Sequence, residues 1–232
     1  EVGVSGRVVD HSTLEPRSTE DFPYPPLQEN IVTNWLDEGA EKMGYNLVPV
    51  PRAILSQPKN GRNACYYSNY CGSYGCFSGA KGSAREALIN RALEYNCKII
   101  PNAKVYHLET HKHAVKAAWY YDENKKQQKI EARQFIVACQ AIESSRLLLM
   151  SKGDQYPNGL ANSSGELGKN LLFSAGGVGS GYFYFNELES AAVEKLKQPG
   201  VFVNRSIHNF YEIDDPALGG KVKGGIVDFL FE

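Results

Sequence analysis

The sequence has no long apolar run and no excess of charge of either sign. No stretch approaches the ~20 consecutive apolar residues that a membrane-spanning helix needs, and no charged-then-apolar signal peptide is visible. The 25 Lys and Arg residues nearly balance 26 Asp and Glu residues, which gives a formal net charge of −1. These absences argue against a transmembrane segment and a general nucleic-acid-binding surface. We expect a soluble protein of the cytoplasm or the periplasm.

Internal repeats are also absent, and the length of 232 residues allows one or two domains with a buried core. The chain begins with Glu1 instead of Met and ends abruptly at Glu232, directly after an apolar strand-like segment. We interpret both features as signs of a piece taken from a longer protein.

Cysteine is scarce, and its count of five is odd, so the cysteines cannot all pair within one monomer. Cys97 and Cys139 lie next to or within apolar segments and are expected to be small buried residues. Cys65, Cys71 and Cys76 lie close together in a glycine-rich loop. Their spacing does not match a zinc site. It leaves open an iron–sulfur cluster, since thiolates suit iron and sulfide, or ordinary free or disulfide-bonded cysteines.

The first half of the chain contains two predicted helices separated by a long loop. Apolar residues over 31–43 recur at helical spacing, and Gly44 provides a stop signal. Residues 56–82 have the composition of a loop, which is usually functional when it is this long. Ser83 is a good N-cap residue with Glu three positions later, which predicts a helix over 84–95.

A small antiparallel meander is predicted next. Strand-like runs cover 103–109, 114–121 and 129–139, with a polar turn before the last run. We expect the end of the last run, residues 135–138, to enter a more buried sheet. Together with the helices, these strands predict an α/β fold.

Four further elements are predicted after the meander. We expect a helix that begins at Ser144 or Ser145, an aromatic strand over 182–185, and an amphipathic helix over 187–196. A strand over 223–231 closes the chain.

Three segments, taken together and in order, resemble the glucose–methanol–choline (GMC) family of flavin oxidoreductases. The pair 61–62 with the segment 75–83 resembles the stretch that precedes a long helix in that family. Residues 138–151 resemble the second family signature, and residues 165–171 resemble the Gly-x-x-Gly-Arg-Asn-Leu segment just after it. Order and spacing agree over about residues 60–173, which makes the combination more specific than any single motif.

The resemblance implies a partial FAD-binding domain over 61–173. The flanking segments, 1–60 and 174–232, would belong to the substrate side, with part of a substrate-domain sheet. The parent protein would oxidise an alcohol or sugar hydroxyl by transferring a hydride to FAD. The positions expected beside the adenosine half of FAD are Val105, Ala138, Cys139, Gln140, Ala141, Ser144 and Ser145.

The proline-rich arm also resembles the branch of gluconate and fructose dehydrogenase flavoprotein subunits. Related sugar-dehydrogenase subunits carry an iron–sulfur cluster on a comparable cysteine loop, whereas long-chain alcohol oxidases have similar cysteines without a cluster role. The resemblance therefore implies FAD and leaves a cluster on Cys65, Cys71 and Cys76 open. It also suggests an electron-transfer partner subunit or self-association.

The sequence departs from the family pattern in several places. Gln140 and Ser145 stand where the second signature has glycine and proline. The glycine-rich Gly-x-Gly-x-x-Gly turn for the FAD diphosphate is absent, and no His lies in the context of the family's His-Asn or His-His pair. We therefore expect this chain alone to be inactive. The competing hypothesis is a non-catalytic binding or interaction piece that retains part of the flavoprotein fold.

Overall fold

The chain divides into two compact units in a computed structural model. The first unit combines Glu1–Cys97 with Gly181–Glu232, and the second is Lys98–Ser180. The structure describes residues 2–9, 19–68, 74–174, 176–198 and 204–229. In these ranges, no helix combines the length and the apolarity that crossing a membrane requires. The mixture of helices and small antiparallel sheets agrees with the predicted class at this coarse level; the predicted boundaries near residues 60 and 173 stay predictions.

Helices and strands alternate irregularly along the chain. The helices are α1 (Ile31–Lys42), α2 (Asn90–Glu94), α3 (Gln140–Met150) and α4 (Ser190–Leu196). A π-helical turn, Arg85–Ile89, leads into α2, and 3₁₀ turns cover Phe185–Glu187 and Pro216–Leu218. The strands are β1 (Leu47–Pro49), β2 (Lys104–His111), β3 (Ala114–Tyr121), β4 (Gln127–Glu131), β5 (Arg205–Ile207), β6 (Glu212–Asp215), β7 (Gly220–Lys223) and β8 (Val227–Asp228).

Helix α1 confirms the prediction of a helix over 31–43. Asn30 caps it, because its Oδ1 accepts the N–H groups of Val32 at 2.9 Å and Thr33 at 3.1 Å. Gly44 follows the helix with a φ of 78°, a left-handed conformation that suits glycine at a helix end. The helix over 84–95 is confirmed by the π-helical turn and α2, and Ser83 Oγ accepts the N–H of Glu86 at 3.4 Å.

The first unit buries an apolar cluster next to an ionic one. Strands β1, β5 and β8 form an antiparallel sheet in that order. Val32 on α1 and Leu196 on α4 are buried together. Partly buried apolar residues pack against this pair: Ile31, Trp35, Leu36, Leu188 and Phe229.

Arg205 on β5 is the centre of the ionic cluster and is only 2% exposed. Its guanidinium donates to both carboxylate oxygens of Asp37, at 2.8 and 2.9 Å, and to Glu29 at 3.0 Å. Although burial alone lowers the pKa of Arg205, the two carboxylates raise it overall. A further ion pair joins Glu29 to Arg7 at 3.3 Å. The cluster thus connects β5, α1 and the N-terminal arm.

The second unit contains the predicted meander, β2-β3-β4, with antiparallel pairing throughout. Helix α3 packs on one face of this sheet. Leu108, Ala118 and Leu147 form the buried centre. Partly buried residues surround it: Val105, Val115, Phe135, Val137, Leu148 and Leu160. The antiparallel meander was therefore predicted correctly, except that its third strand ends at Glu131 and does not continue to residue 139.

Residues 135–138 are not a strand, although the sequence predicted one. Phe135 and Val137 pack on the core, but Ile136 between them is 92% exposed. In the part of the chain that the structure describes, no strand pairs with this segment. The alternating side-chain pattern is present, but a strand also needs a hydrogen-bonded neighbour, so the prediction of a buried sheet here is wrong.

Four other boundaries also differ from prediction. Helix α4 begins at Ser190 and not at residue 187. Helix α3 begins at Gln140, upstream of Ser144 and Ser145. Residues 182–185 are not a strand and lead into a 3₁₀ turn at Phe185–Glu187. The predicted strand over 223–231 is broken, because β7 ends at Lys223 and β8 holds only two residues; residues 230–232 lie outside the described ranges.

Candidate functional site

A side-chain hydroxyl stabilises the turn that opens α3. Gln140 has a φ of 64°, in the left-handed region that favours glycine. The N–H of Cys139 donates to Ser144 Oγ at 3.0 Å, so this hydroxyl closes the turn. The unusual φ gives a physical reason for glycine in the signature that the sequence resembles, and it shows that Gln140 adopts the same kind of turn at a conformational cost.

The N-terminus of α3 presents backbone donors. No side chain caps this end of the helix, so its first N–H groups have no intrahelical acceptor and carry the positive end of the helix dipole. Glu143 lies in the first turn and forms an ion pair with Arg146 at 2.7 Å. The hydrogen bond from Arg146, with the nearby charges of Arg146 and Lys104, lowers the pKa of Glu143. The site therefore combines N–H donors with a carboxylate that stays ionised and paired.

Val105 lies beside the same helix. Val105 on β2 and Val137, just before the turn, pack against one buried cluster formed by Leu108, Ala118 and Leu147. The β2–β3 register shifts directly after Val105, and such a bulge changes the direction in which backbone and side chains point. The structure thus brings Val105 and the segment that leads into the α3 turn around one core.

The glycine-rich segment after α3 also contacts this helix. A Cβ added to Gly168 would lie 3.2 Å from Leu149 Cδ1 and 3.9 Å from Ser145 Cβ, both on α3. Gly168 also has a φ of 78°. Asn170 donates to Glu166 at 3.2 Å, which closes the segment on itself. Glycine at 168 is therefore favoured chiefly by its φ, and the close approach to α3 adds to this preference.

The residues predicted at the cofactor differ in their exposure. Ala138, Cys139, Gln140 and Ala141 are exposed, whereas Val105, Ser144 and Ser145 are half-buried. The expectation that Cys139 and Cys97 are buried is wrong, because both are exposed. The apolar run before Cys139 had suggested a buried strand, but that strand does not form. The assignment of these positions to a cofactor stays a prediction.

The cysteine loop does not support an iron–sulfur cluster. Cys71 lies outside the described residues. Cys65 Sγ accepts the N–H of Tyr67 at 3.4 Å, and Cys76 Sγ accepts the N–H of Lys81 at 3.3 Å. In the described ranges, no group of three or more His, Cys, Asp or Glu side chains could hold a metal ion.

Cys76 instead lies in a loop of backbone donors that Arg62 supports. Burial raises the pKa of the Cys76 thiol, but the N–H groups of residues 79–81 and the hydroxyl of Ser78 lower it overall. Arg62 donates to the carbonyl oxygens of Gly79 and Ala80, at 3.0 Å each. Because C=O and N–H point in opposite directions in a trans peptide, Arg62 holds these peptides with their N–H groups towards the sulfur. Nothing in the local sequence indicates this role of Arg62 beyond an arginine near a glycine-rich loop.

Comparison with known proteins identifies the family. The sequence profile of the GMC oxidoreductase family matches residues 25–174. The large subunit of fructose dehydrogenase from Gluconobacter japonicus is 34% identical over 173 residues, which are 74% of this chain and 31% of that protein.

Two further relatives also align with this chain over only part of their length. Paromamine 6'-oxidase from Streptomyces fradiae is 34% identical over 139 residues, 59% of this chain and 26% of that protein. 2-methyl-1,2-propanediol dehydrogenase from Mycolicibacterium austroafricanum is 28% identical over 171 residues, 73% of this chain and 30% of that protein. The aligned parts thus span 26% to 31% of the length of these relatives. Because the family profile covers well over half of the sequence, the chain belongs to the GMC oxidoreductase family.

Proposed function

We propose that this chain is part of an FAD-dependent oxidoreductase that acts on CH–OH groups of alcohols or sugars by hydride transfer to the flavin. The GMC family is FAD-dependent. The names of three relatives, which specify fructose, paromamine and 2-methyl-1,2-propanediol, support a sugar or alcohol substrate. The observation that carries the proposal is the shared core that places Val105 beside the segment leading into the α3 turn.

The residues at this place suit the adenosine half of FAD. The uncapped N–H groups at the start of α3 can donate to ribose or phosphate oxygens. Strand β2 is at the edge of its sheet, so one row of its backbone groups, near Val105, faces away from β3 and can pair with the polar edge of adenine. When bound, FAD supplies the hydride acceptor; the task of the protein residues is to hold and orient it.

This chain lacks the usual binding turn for the diphosphate of FAD. The sequence has no Gly-x-Gly-x-x-Gly turn, which supplies much of the anion-binding geometry in dinucleotide sites. We therefore propose that this chain alone binds FAD weakly or not at all and does not oxidise alcohols. In this proposal residues 61–173 form part of the FAD domain, and residues 1–60 and 174–232 belong to the substrate side.

The proposed function also includes a protein partner for this chain. Segment 135–138 has the side-chain alternation of a strand and pairs with no strand among the described residues, and an unpaired backbone of this kind pairs readily with another chain. We propose self-association of the isolated chain or contact with a partner subunit. An iron–sulfur cluster is not part of the proposed function.

Expression of the complete reading frame that contains this segment tests the function. We expect the purified protein to contain FAD and expect an alcohol or sugar, with fructose and 2-methyl-1,2-propanediol as first probes, to bleach the flavin absorbance without oxygen. The 232-residue chain with added FAD is the matched control and should give no alcohol-dependent dye reduction. A full-length protein that retains no FAD would contradict the proposal and favour the non-catalytic alternative. Turnover by the isolated chain would show that the chemistry lies within these residues.

A further inference from the structure

Ser151 follows α3 directly and is 1% exposed. Its hydroxyl donates to the carbonyl oxygen of Leu147 at 2.7 Å and accepts the N–H of Leu108 at 2.9 Å. Leu147 belongs to α3 and Leu108 to β2, so one buried hydroxyl joins the backbone of the helix to the backbone of the strand. Without it, the N–H of Leu108 would be buried beside a group that cannot accept a hydrogen bond.

The apolar and charge contacts between β2 and α3 do not fix the position of the strand along the helix axis. Packing of Leu108 against Leu147 is non-directional. At the start of both elements, Lys104 and Glu143 attract each other, but both are exposed, so water and salt weaken that attraction. A hydrogen bond depends steeply on distance and angle. Among the described residues, the Ser151 bridge is the directional contact between β2 and α3, and it is therefore the one expected to fix this position.

We propose that Ser151 is a positioning residue that sets the separation between Val105 and the start of α3, and so shapes the site for the adenosine half of FAD. The inference rests on the proposed function. Val105 lies three residues before Leu108 on β2, and Gln140 begins the helix that Ser151 caps. Because a strand and a helix shift largely as rigid elements, a change at Ser151 is carried to both sides of the site.

Adenosine monophosphate (AMP) is the probe, because it contains the adenosine half of FAD and can be used at high concentration. The amide resonances of Val105 and Ala141 are followed by NMR during a titration of the isotope-labelled chain with AMP. The variants are Ser151→Ala and Ser151→Thr, which keeps the hydroxyl. Ser206→Ala is the matched control: Ser206 is also fully buried, lies in the first unit, and its hydroxyl has no partner among the described residues. Circular dichroism checks that each variant is folded.

We expect both amides to shift in the wild-type chain at millimolar AMP, because AMP lacks the diphosphate for which this chain has no glycine-rich turn. Ser151→Ala should weaken AMP binding at least about tenfold, while Ser151→Thr and Ser206→Ala should stay within about threefold of wild type. The amide of Leu108 should exchange faster with deuterium in Ser151→Ala, because it has lost its acceptor. Rescue by threonine separates positioning from general loss of stability, since AMP affinity is measured on the folded fraction.

The outcomes separate the two proposals. If the wild-type chain responds to AMP and Ser151→Ala binds it equally well, the role of Ser151 is overturned and the proposed function stands. If no amide of the wild-type chain responds, the adenosine site fails and the role of Ser151 fails with it. If Ser151→Ala does not fold, Ser151→Cys, whose thiol is a weaker acceptor, is titrated instead, and the same two outcomes apply.

Discussion

The two compact units are stabilised by different interactions. The second unit packs Leu108, Ala118 and Leu147 between α3 and a sheet of consecutive strands. The first unit buries Arg205 between Asp37 and Glu29, from segments far apart in the sequence. An apolar core loses stability in proportion to the volume removed, whereas a buried charge depends on its specific partners. We therefore expect the second unit to be sensitive to side-chain size and the first unit to side-chain charge.

The two tryptophans make this comparison measurable. Trp35 lies on α1 in the first unit and Trp119 on β3 in the second, and the sequence contains no other tryptophan. Replacing either one by phenylalanine leaves a single fluorescent reporter. Each unit can therefore be followed by itself during unfolding in urea.

The largest effect is expected from Leu147→Ala. Leu147 is 4% exposed at the centre of the second unit, and its truncation should lower the free energy of unfolding by about 3 kcal/mol, through lost burial and the cavity left behind. Urea unfolding followed by Trp119 fluorescence measures this loss. Ile142→Ala on the same helix, where Ile142 is 64% exposed, is the control and should change stability far less. An equal loss reported by Trp35 would mean that the two units unfold as one.

A smaller loss is expected from Asp37→Ala in the first unit. The variant removes two hydrogen bonds to the buried guanidinium of Arg205, while Glu29 remains. Loss of hydrogen bonds to a charged group should cost about 2 kcal/mol, measured by Trp35 fluorescence in urea. Glu38→Ala, at the exposed neighbouring position on α1, serves as the control. An unchanged urea midpoint in Asp37→Ala would show that Arg205 rehydrates or finds a new partner.

Sequence and structure agree where the determinants are local. Helix α1 was predictable because its apolar spacing, Asn30 cap and Gly44 stop lie within one short segment. Strands β2 and β3 were predictable because their alternation is interrupted by a polar turn. Residues 135–138 have the same alternation but lack a neighbouring strand among the described residues, and no property of the segment itself records that neighbour.

The geometry of the candidate site was not predictable from the sequence. Motif order selected Val105 and the α3 turn as cofactor positions, which stays a prediction, and the structure packs Val105 and Val137 on one core. The φ of Gln140 could not be inferred, because glutamine rarely adopts that region. The roles of Ser151 and Arg205 depend on contacts with residues distant in the sequence, for which a single sequence contains no pattern.

The smallest expected effect is a pH-dependent change at Glu109 and Trp119, on the β2-β3-β4 sheet. The hydrogen bond from Trp119, at 2.6 Å, and the one from Lys129 lower the pKa of Glu109 below its ordinary value of 4.5. Because the pKa of Glu109 is lowered in the folded state, its hydrogen bonds to Trp119 and Lys129 stabilise the fold above pH 4.5. This stabilisation is lost as the pH falls through the folded-state pKa. We therefore expect Trp119 fluorescence to change with a midpoint below pH 4.5.

Two variants check this assignment. Glu109→Gln should remove the acid-side fluorescence change of Trp119. Glu212→Gln is the matched control, because the pKa of Glu212 is also lowered, by Lys221, but in the other unit. A midpoint at or above pH 4.5 in the wild-type chain would contradict the hydrogen bond between Glu109 and Trp119.

The contact between Asp37 and Arg205 also has a consequence for synthesis on the ribosome. The two residues are 168 positions apart. At about 5–20 residues per second, the ribosome needs roughly ten to thirty seconds to add Arg205 after Asp37. During that interval Asp37 lacks its Arg205 partner and Glu29 can pair only with Arg7, while the whole of the second unit is synthesised. The later segment can therefore fold first, and the N-terminal segment completes its unit only when translation has nearly passed the end of this sequence.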